Sequence, residues 1–448
     1  MQNPLLDTER ELLSKKFDDL SITYRLYTPS DDVPLIALEK EASQGNKYVR
    51  LIADFSTIHR EPFDSKCKLF PDHIIVVAEA QRPNSAQKDL CGCACLGIKE
   101  IYFNQKKVKA GVLFDLRVSE RYQRKGIGAT ICELIEKLAA EKGCEFIYLS
   151  VNNNNNKAIF LYTKLGYSVI SHRRMGFMTT PPQSHDLIPS EVEIEHNGRP
   201  VKLKFERLTR EEALDSYNKF YLNQDLALVN WKELTDSQEY IGTFVAKTED
   251  NKNTVGMTLQ RIRKSGSMGL TRFFFPATYH NKLWFVSLGL TAILIAMSGF
   301  LSSIKEYVDS LNIDSFWKTL LGYIGMGLPV WLTSFVYLFI NKFVLNMAGF
   351  AFRGRYIGPF KFLEDESLLR PMLEALTKYI NQIAAYQGIE SVMYNRDVNC
   401  EFAKNWPSIK GFNAGPYFYA KYIKPQPDSQ DLKSWKPSAF MYFDARDL

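Results

Sequence analysis

The sequence predicts an α/β fold of the α+β kind, with a mixed central sheet, flanking helices and a second, related domain behind the first. Three observations predict it. The stretch from Leu113 to Tyr167 reads as strand, glycine turn, helix, strand, helix. The second half of the chain repeats the element order of the first. Two uncharged runs interrupt that second half, Leu283 to Ile304 with 22 residues and Thr319 to Asn341 with 23.

Within the first stretch, LFDLRV is a short apolar run suited to a buried strand. Gln123-Arg124-Lys125-Gly126-Ile127-Gly128 follows. An amphipathic helix comes next, with Ile131, Leu134, Ile135 and Leu138 on one face. Two glycines at a strand-to-helix turn let backbone N–H groups crowd toward one point. The helix N-terminus adds partial positive charge, and Arg121, Arg124 and Lys125 add whole charges. Such a corner is a phosphate cradle. FIYLSV is a second buried strand that ends in five asparagines. A helix with Ala158, Leu161, Tyr162 and Leu165 then stops at Gly166, a good residue just past a helix end.

This stretch resembles the GNAT N-acetyltransferases. Their pattern is Gln/Arg-x-x-Gly-x-Gly/Ala after a strand, then Asn-x-x-Ala-x-x-x-Tyr and a closing Leu-Gly-Tyr/Phe. Gln123, Gly126 and Gly128, then Asn155, Ala158, Tyr162 and Leu165-Gly166-Tyr167 stand at the family's spacing. The resemblance implies the GNAT fold over residues 21–180 and acetyl-CoA as cosubstrate. Spacing alone says only that an anion site lies between two strands. LRVSERYQRKGIG, YIGTFVAK and SWKPSAFMYFDARDL are also similar to the plant HOOKLESS-type acetyltransferases, in which a longer C-terminal half follows the GNAT domain.

The chain has 448 residues, enough for two or three domains, with 46% hydrophobic and 24% charged residues. Its net charge of +6 suits an anionic cofactor or an anionic membrane surface equally. No basic block interleaved with aromatics points to nucleic acid. The seven cysteines do not form a disulfide framework. Cys91, Cys93 and Cys95 alternate, so on a regular strand they face one way, roughly 7 Å apart. Buried core thiols are the expectation, against a metal or redox site. The histidines are scattered, and no metal is expected. MQNPLLDTERELL is polar and acidic, not a secretory signal. A reducing, cytosolic setting follows.

In chain order, residues 1–20 read as a tail or short helix. Ile22 to Tyr27 is a first strand, then helical patterns lie near 33–44 and 47–60. His73 to Ala80, Cys91 to Phe103 and Val169 to Thr179 read as further strands. Residues 181–200, rich in Pro, Ser and acids, read as a linker. Residues 201–448 repeat the order. VKLKFERL is a strand before a Thr-Arg-Glu-Glu helix start, YIGTFVAK and TVGMTLQRIR are a hairpin, and a long amphipathic helix covers about 366–387. This second domain is read as a degenerate GNAT-like copy. Where a Gly-x-Gly turn is sought stands Gly358-Pro359-Phe360, and proline removes an N–H that a phosphate site needs.

Each uncharged run exceeds the roughly 20 residues that span a bilayer core. Lys305, Glu306, Asp309, Asp314 and Lys318 lie between the runs. Arg261, Arg263, Lys264, Arg272 and Lys282 precede them, and Lys342, Arg353 and Arg355 follow. Positive charge outside the connecting loop puts both globular domains on the cytosolic side of a transmembrane hairpin. Two core helices of a large soluble domain, or a hairpin entering one leaflet, would also account for the runs. Two adjacent uncharged runs with charged ends favour the spanning hairpin.

The family resemblance assigns roles within the cradle. Gln123, Arg124, Lys125, Gly126, Ile127, Gly128 and Ala129 would hold the pyrophosphate. Leu116 and Val118 would pair with the cofactor along the strand edge, one N–H polarising the thioester carbonyl. Asn155 matches the cofactor-contacting asparagine, although a polar strand exit also explains an asparagine run. Tyr162 matches the general acid, and an aromatic packing helix on sheet would explain it as well. Protein N-terminal acetyltransferases can hold a glutamate at the place of Ser150, so no base is named. Asp115 is read as structural or substrate-facing. The expected function is a membrane-anchored N-acetyltransferase acting on an amine. The alternative is a non-catalytic module that binds acetyl-CoA or a partner at a membrane.

Overall fold

A computed structural model describes residues 11–17, 20–41, 53–57, 62–81, 88–153, 155–180, 188–261, 268–273, 302–303, 305–311, 314–321, 354–389, 391–397, 402, 416–423 and 432. Two compact units emerge. One joins Met1–Ser43, Ser56–Met268 and Phe352–Leu448, and the other joins Gln44–Phe55 and Gly269–Ala351.

The first unit is organised on one mixed sheet of 14 strands. Its first half contains β1 (Glu11–Phe17), β2 (Leu20–Leu26), β4 (Asp72–Gln81), β5 (Lys88–Phe103), β6 (Lys106–Val118) and β7 (Phe146–Asn152), neighbours in that order. Helix α1 (Asp32–Glu41) precedes β4, and β3 (Ala53–Thr57) belongs to another sheet. Helix α2 (Ile127–Glu141) joins β6 to β7, and α3 (Asn156–Lys164) leads to β8 (Ser168–Thr179). Ile127, Ile131 and Ile135 of α2 pack with Val76, Leu96 and Leu113 on one face of the sheet. Leu35 and Leu38 of α1 pack with Val77, Cys95 and Val112 on the other. A sheet covered on both faces follows from strands that are apolar on both faces.

Two expectations for this half change. In place of a tail or helix, residues 11–17 form β1, antiparallel to β2. Leu12 and Leu13 supply the reason, since both pack on the core that the acidic composition disguises. The three alternating cysteines do not face one way. Ala78 opposes Gly92 and Glu79 opposes Leu90, so Cys91 is an extra residue in β5. That bulge reverses the alternation. Cys91 enters one core cluster, whereas Cys93 and Cys95 enter the other. All are buried free thiols, and burial raises the Cys91 thiol to about 12.

A buried ion pair closes the β2–α1 corner. The Arg25 guanidinium donates to both carboxylate oxygens of Asp31, at 2.8 Å each, and to Glu79 at 2.5 Å. Burial alone raises the Asp31 pKa, but hydrogen bonds from Arg25 and the Thr28 amide outweigh it and hold it below its ordinary 3.8. A depressed carboxylate stabilises the fold above its unfolded pKa and loses that effect as pH falls through the folded one. Asp31→Ala is therefore expected to cost about 3 kcal/mol at pH 7, because Arg25 keeps a buried charge with one partner fewer. Urea midpoints for wild type and variant should converge as pH is lowered from about 4.

The second half begins with a hairpin, β9 (Glu191–His196) and β10 (Arg199–Arg207), so the predicted linker is strand in its last part. Helix α4 (Arg210–Tyr221) follows, capped by Thr209 and Glu212 in a reciprocal box that the Thr-Arg-Glu-Glu sequence encodes. Next come α5 (Lys232–Thr235), β11 (Tyr240–Thr248) and β12 (Thr254–Arg261). After an insertion the order resumes with β14 (Gly354–Phe362), α6 (Leu369–Tyr386), β15 (Ser391–Asp397) and β16 (Pro416–Tyr422). Leu369, Met372, Leu373, Leu376 and Ile380 of α6 pack on one face of these strands. Tyr217, Tyr221 and Trp231 pack on the other.

The last strand does not stay with its own half. β16 lies between β7 and β8, antiparallel to both, with Phe418 opposite Ser150 and Ser171. In turn, β8 extends past β16 and pairs through Arg173 to Thr179 with β15. Each half thus lends a strand to its neighbour, and the sheet is continuous.

The insertion leaves and re-enters at adjacent strand ends, since Arg261 pairs with Gly354. A long excursion there is compatible with an undisturbed sheet. The second unit contains a two-stranded sheet of β3 and β13 (Met268–Phe273), so the predicted helix 47–60 holds a strand among its described residues. Helical residues 305–310 and 315–321 also belong to it. Of the uncharged runs only 302–303 and 319–321 are described, and the rest lies outside the described residues. Among the described residues no helix is long and apolar enough to cross a membrane.

Candidate active site

β6 and β7 run parallel and pair from Ala110–Phe146 to Leu113–Leu149. They then part, although β6 continues to Val118 and β7 to Asn152. The cause lies on the other side of β6. Cys95 opposes Phe114 and Cys93 opposes Arg117, so Asp115 and Leu116 together face one β5 residue. Asp115 takes a left-handed φ of 52°. Such a bulge bends its strand and sharpens the twist. Beyond it, Ser119 N–H donates to the Cys91 carbonyl on β5 at 2.9 Å. By alternation from Ser119, the N–H group of Val118 faces the open edge.

A turn connects that edge to α2. Arg124 and Gly126 have φ of 65° and 78°, both left-handed. The first intrahelical bond runs from Thr130 N–H to the Gly126 carbonyl at 3.0 Å. The N–H groups of Ile127, Gly128 and Ala129 therefore have no helical acceptor. No atom stands within 4 Å of where a Gly126 Cβ would lie, so the space there is open. A Cβ on Gly128 would meet Leu161 at 3.5 Å and Val118 at 3.6 Å, ordinary contacts. Arg121, Arg124 and Lys125 have no ion-pair partner among the described residues. The corner is thus a set of aimed donors under uncompensated positive charge.

Gln123 ties the corner together. Its Nε2 donates to the Val118 carbonyl at 3.2 Å, and its Oε1 accepts from Lys157 Nζ on α3 at 3.2 Å. Asn155 caps α3, its Oδ1 accepting the Ala158 N–H at 3.2 Å. Tyr162 is buried on α3, edge-on to Tyr167 at 5.7 Å, in the core cluster that also takes Leu116 and Val118. Burial pushes its phenol well above 10, with Cys132 adding to the shift. Among the described residues its hydroxyl has no protein hydrogen bond. Ser150 sits on β7 opposite Phe418. The structure therefore gathers Leu116, Val118 and the run from Gln123 to Ala129 at one open strand edge.

Sequence reasoning named Asp115 as structural or substrate-facing but missed the groups around it. Asp115 Oδ2 lies 3.3 Å from Lys66 Nζ, and Oδ1 lies 3.7 Å from Arg117 Nη2. Arg117 also reaches Glu39 Oε1 at 3.7 Å, and Ser119 Oγ donates to Glu41 at 3.2 Å. These partners are remote in sequence, so no local pattern marks them.

A second opening lies in the other half. β14 and β15 pair in parallel only at Gly354–Val392 and Arg355–Met393. The β14 bulge places Gly358, φ 51°, and Pro359 against Met257. Gly358-Pro359 is therefore a strand bulge, not the helix-start turn sought in the sequence. The approach to α6 holds Glu364, Asp365 and Glu366, with Asp365 accepting the Ser367 N–H at 2.9 Å. Acids at that helix start repel phosphate. Among the described residues no three His, Cys, Asp or Glu side chains are grouped for a metal ion.

Residues 48–167, which hold the bulge, the open edge and the turn, match the model of the acetyltransferase (GNAT) family. That stretch is a GNAT acetyltransferase domain. Over 131 residues, 26% of this chain and 31% of the relative, the chain is 26% identical to the probable N-acetyltransferase HLS1 of Arabidopsis thaliana. Over 80 residues, 18% of this chain and 53% of the relative, it is 39% identical to the spermine/spermidine N(1)-acetyltransferase of Bacillus subtilis. Over 77 residues, 17% of this chain and 51% of the relative, it is 35% identical to the ribosomal protein bS18-alanine N-acetyltransferase of Escherichia coli. The chain thus spans from about a third to about half the length of these relatives. GNAT enzymes use acetyl-CoA, which supplies the activated acetyl group.

Proposed function

We propose that the chain is a membrane-anchored N-acetyltransferase that transfers acetyl from acetyl-CoA to an amine by direct attack. One observation carries the reading: the open edge of β6 leads straight into a turn with three free helical N–H groups. A nucleotide diphosphate fits the turn, where the Gly126 side is open and Arg121, Arg124 and Lys125 are uncompensated. Gln123 to Ala129 would hold the pyrophosphate, and the N–H groups of Leu116 and Val118 would pair with the pantetheine arm. One of them would stabilise the negative charge that grows on the thioester oxygen.

The neutral attacking nitrogen forms a bond to the thioester carbon, the C–S bond breaks as the tetrahedral centre collapses, and the proton that the nitrogen sheds passes to bulk water. Tyr162 would return a proton to the leaving thiolate. Its raised phenol keeps its proton near neutral pH, and only a desolvated thiolate takes it. Asn155 acts mainly by capping α3, with its amide nitrogen left for the cofactor. The acceptor is a primary amine, a protein lysine or N-terminus ahead of a small amine. Relatives named for an alanine N-terminus and for polyamines support that class. Residues 201–448 are read as a degenerate GNAT-like domain, on element order, the repeated bulge and the missing cradle. Membrane anchoring rests on the uncharged runs Leu283 to Ile304 and Thr319 to Asn341, with both domains on the cytosolic side.

A non-catalytic module that binds acetyl-CoA at a membrane is the second reading. Ser150, which cannot act alone as a base, favours it. Thiol release from acetyl-CoA with mixed primary amines separates the two. Wild type should exceed Tyr162→Phe by about 100-fold. Equal, background rates would leave the module. Carbonate-washed membranes should retain the full chain and release one lacking 283–341, and retention of the deleted form would remove the anchor.

A further inference from the structure

The fifth main-sheet strand of each half carries the same irregularity. In β6 it places Asp115 at φ 52°, and in β14 it places Gly358 at φ 51°. Each strand then leaves its parallel neighbour, β6 after Leu113 and β14 after Arg355. The chain thus contains its own control, one bulge beside a phosphate cradle and one beside an acidic helix start. Two differences separate them. After Asp115 comes Leu116, which has an N–H, whereas after Gly358 comes Pro359, which has none. The other difference is the left-handed residue itself.

Glycine enters the left-handed region freely, and aspartate does so at a cost. The half without a cradle keeps the residue that the bulge itself favours. The half with the cradle holds an aspartate there, and its side chain is tethered. Lys66, between the 3-10 turns Phe63–Ser65 and Cys67–Leu69, meets Asp115 Oδ2 at 3.3 Å. Arg117 meets Oδ1 at 3.7 Å and is itself held by Glu39 of α1. The Cys93 thiol donates to the Asp115 carbonyl, with Sγ at 3.8 Å. Backbone and side chain of this one residue are therefore fixed from three elements. None of these bonds is needed for a bulge as such, since Gly358 makes one without them.

We infer that Asp115 is a positioning residue. Its carboxylate, gripped by Lys66 and Arg117, sets the β6 bulge so that the Leu116 N–H points at the thioester carbonyl oxygen. The inference rests on the acetyltransferase reading. It predicts that releasing the carboxylate spoils carbonyl polarisation while leaving cofactor affinity alone, because the pyrophosphate is gripped further along the chain.

The test needs no acceptor. Carbonyl-13C acetyl-CoA bound to the full chain is observed by infrared difference spectroscopy. Its affinity is measured by calorimetry on wild type, Asp115→Gly and Asp115→Asn. In wild type the bound carbonyl band should lie below that of free acetyl-CoA. Asp115→Gly, which keeps the left-handed residue type of the second bulge, should return the band to the free position with affinity unchanged. Asp115→Asn, whose single oxygen still accepts from Lys66 while its NH2 faces Arg117, should restore the shift in part. Where turnover is measured, kcat for Asp115→Gly should fall between about 10- and 100-fold at constant KM for acetyl-CoA. The same displaced band in wild type and Asp115→Gly would overturn the inference and leave the acetyltransferase reading standing. So would affinity falling in parallel with the band. Failure of wild type to bind acetyl-CoA would overturn both.

Discussion

Gly126→Glu should abolish acetyl-CoA binding, with affinity lower by at least about 100-fold. Two effects combine. A side chain at φ 78° is strained, by about 1–2 kcal/mol. The larger effect is the carboxylate, which enters open space among N–H donors where an anion is meant to lie. A graded series isolates the two. Gly126→Ala adds only the strain and should weaken binding about tenfold. Gly128→Ala meets only ordinary contacts, at 3.5 and 3.6 Å, and should bind within about twofold of wild type. Calorimetric titration with acetyl-CoA reads all three. Equal affinity of Gly126→Glu and wild type would remove the cradle.

Ending the chain before Pro416 should unfold the N-terminal half, far away in sequence. β16 fills the gap between β7 and β8, and without it both strands lose a neighbour. Phe418 and Ala420 are fully buried and Tyr419 nearly so. Loss of one buried Phe costs about 3–5 kcal/mol, and a whole domain is stable by only about 5–15 kcal/mol. Removal of the strand also breaks the 2.7 Å bond between Lys421 and Glu136 of α2. The truncated chain should fail to bind acetyl-CoA and should give no cooperative unfolding of the N-terminal half. Ala420→Asp, which buries a charge at that seam, should move the urea midpoint in the same direction. A truncated chain with wild-type affinity would mean that residues 21–180 are self-sufficient.

The site was more legible in the sequence than the sheet that carries it. Apolar runs, the Gly126 turn and the Thr209 cap are local signals, written within a few residues and read by local rules. The exchange of β8 and β16 is not. Strand pairing between residues 146–152 and 416–422 depends on a partner remote in the chain, and β16 carries the same composition whichever half it joins. Bulges were hidden for a related reason. Alternation assigns Cys91, Cys93 and Cys95 to one face, and one extra residue at Cys91 sends it to the other. A second bulge breaks the alternation at Asp115. Its partners Lys66 and Glu39 come from separate elements, so the network became visible only in three dimensions. Asn155 shows the opposite case, in which a motif position has a plain local task, the cap of α3.

The most direct measurement is the structure of the chain with coenzyme A bound. Diphosphate oxygens should lie within hydrogen-bond reach of the N–H groups of Ile127, Gly128 and Ala129. The pantetheine arm should run along the β6 edge at Leu116 and Val118, with its sulfur beside Tyr162. A bound complex with the nucleotide elsewhere, or that corner filled by the chain's own side chains, would contradict the cradle at Gly126.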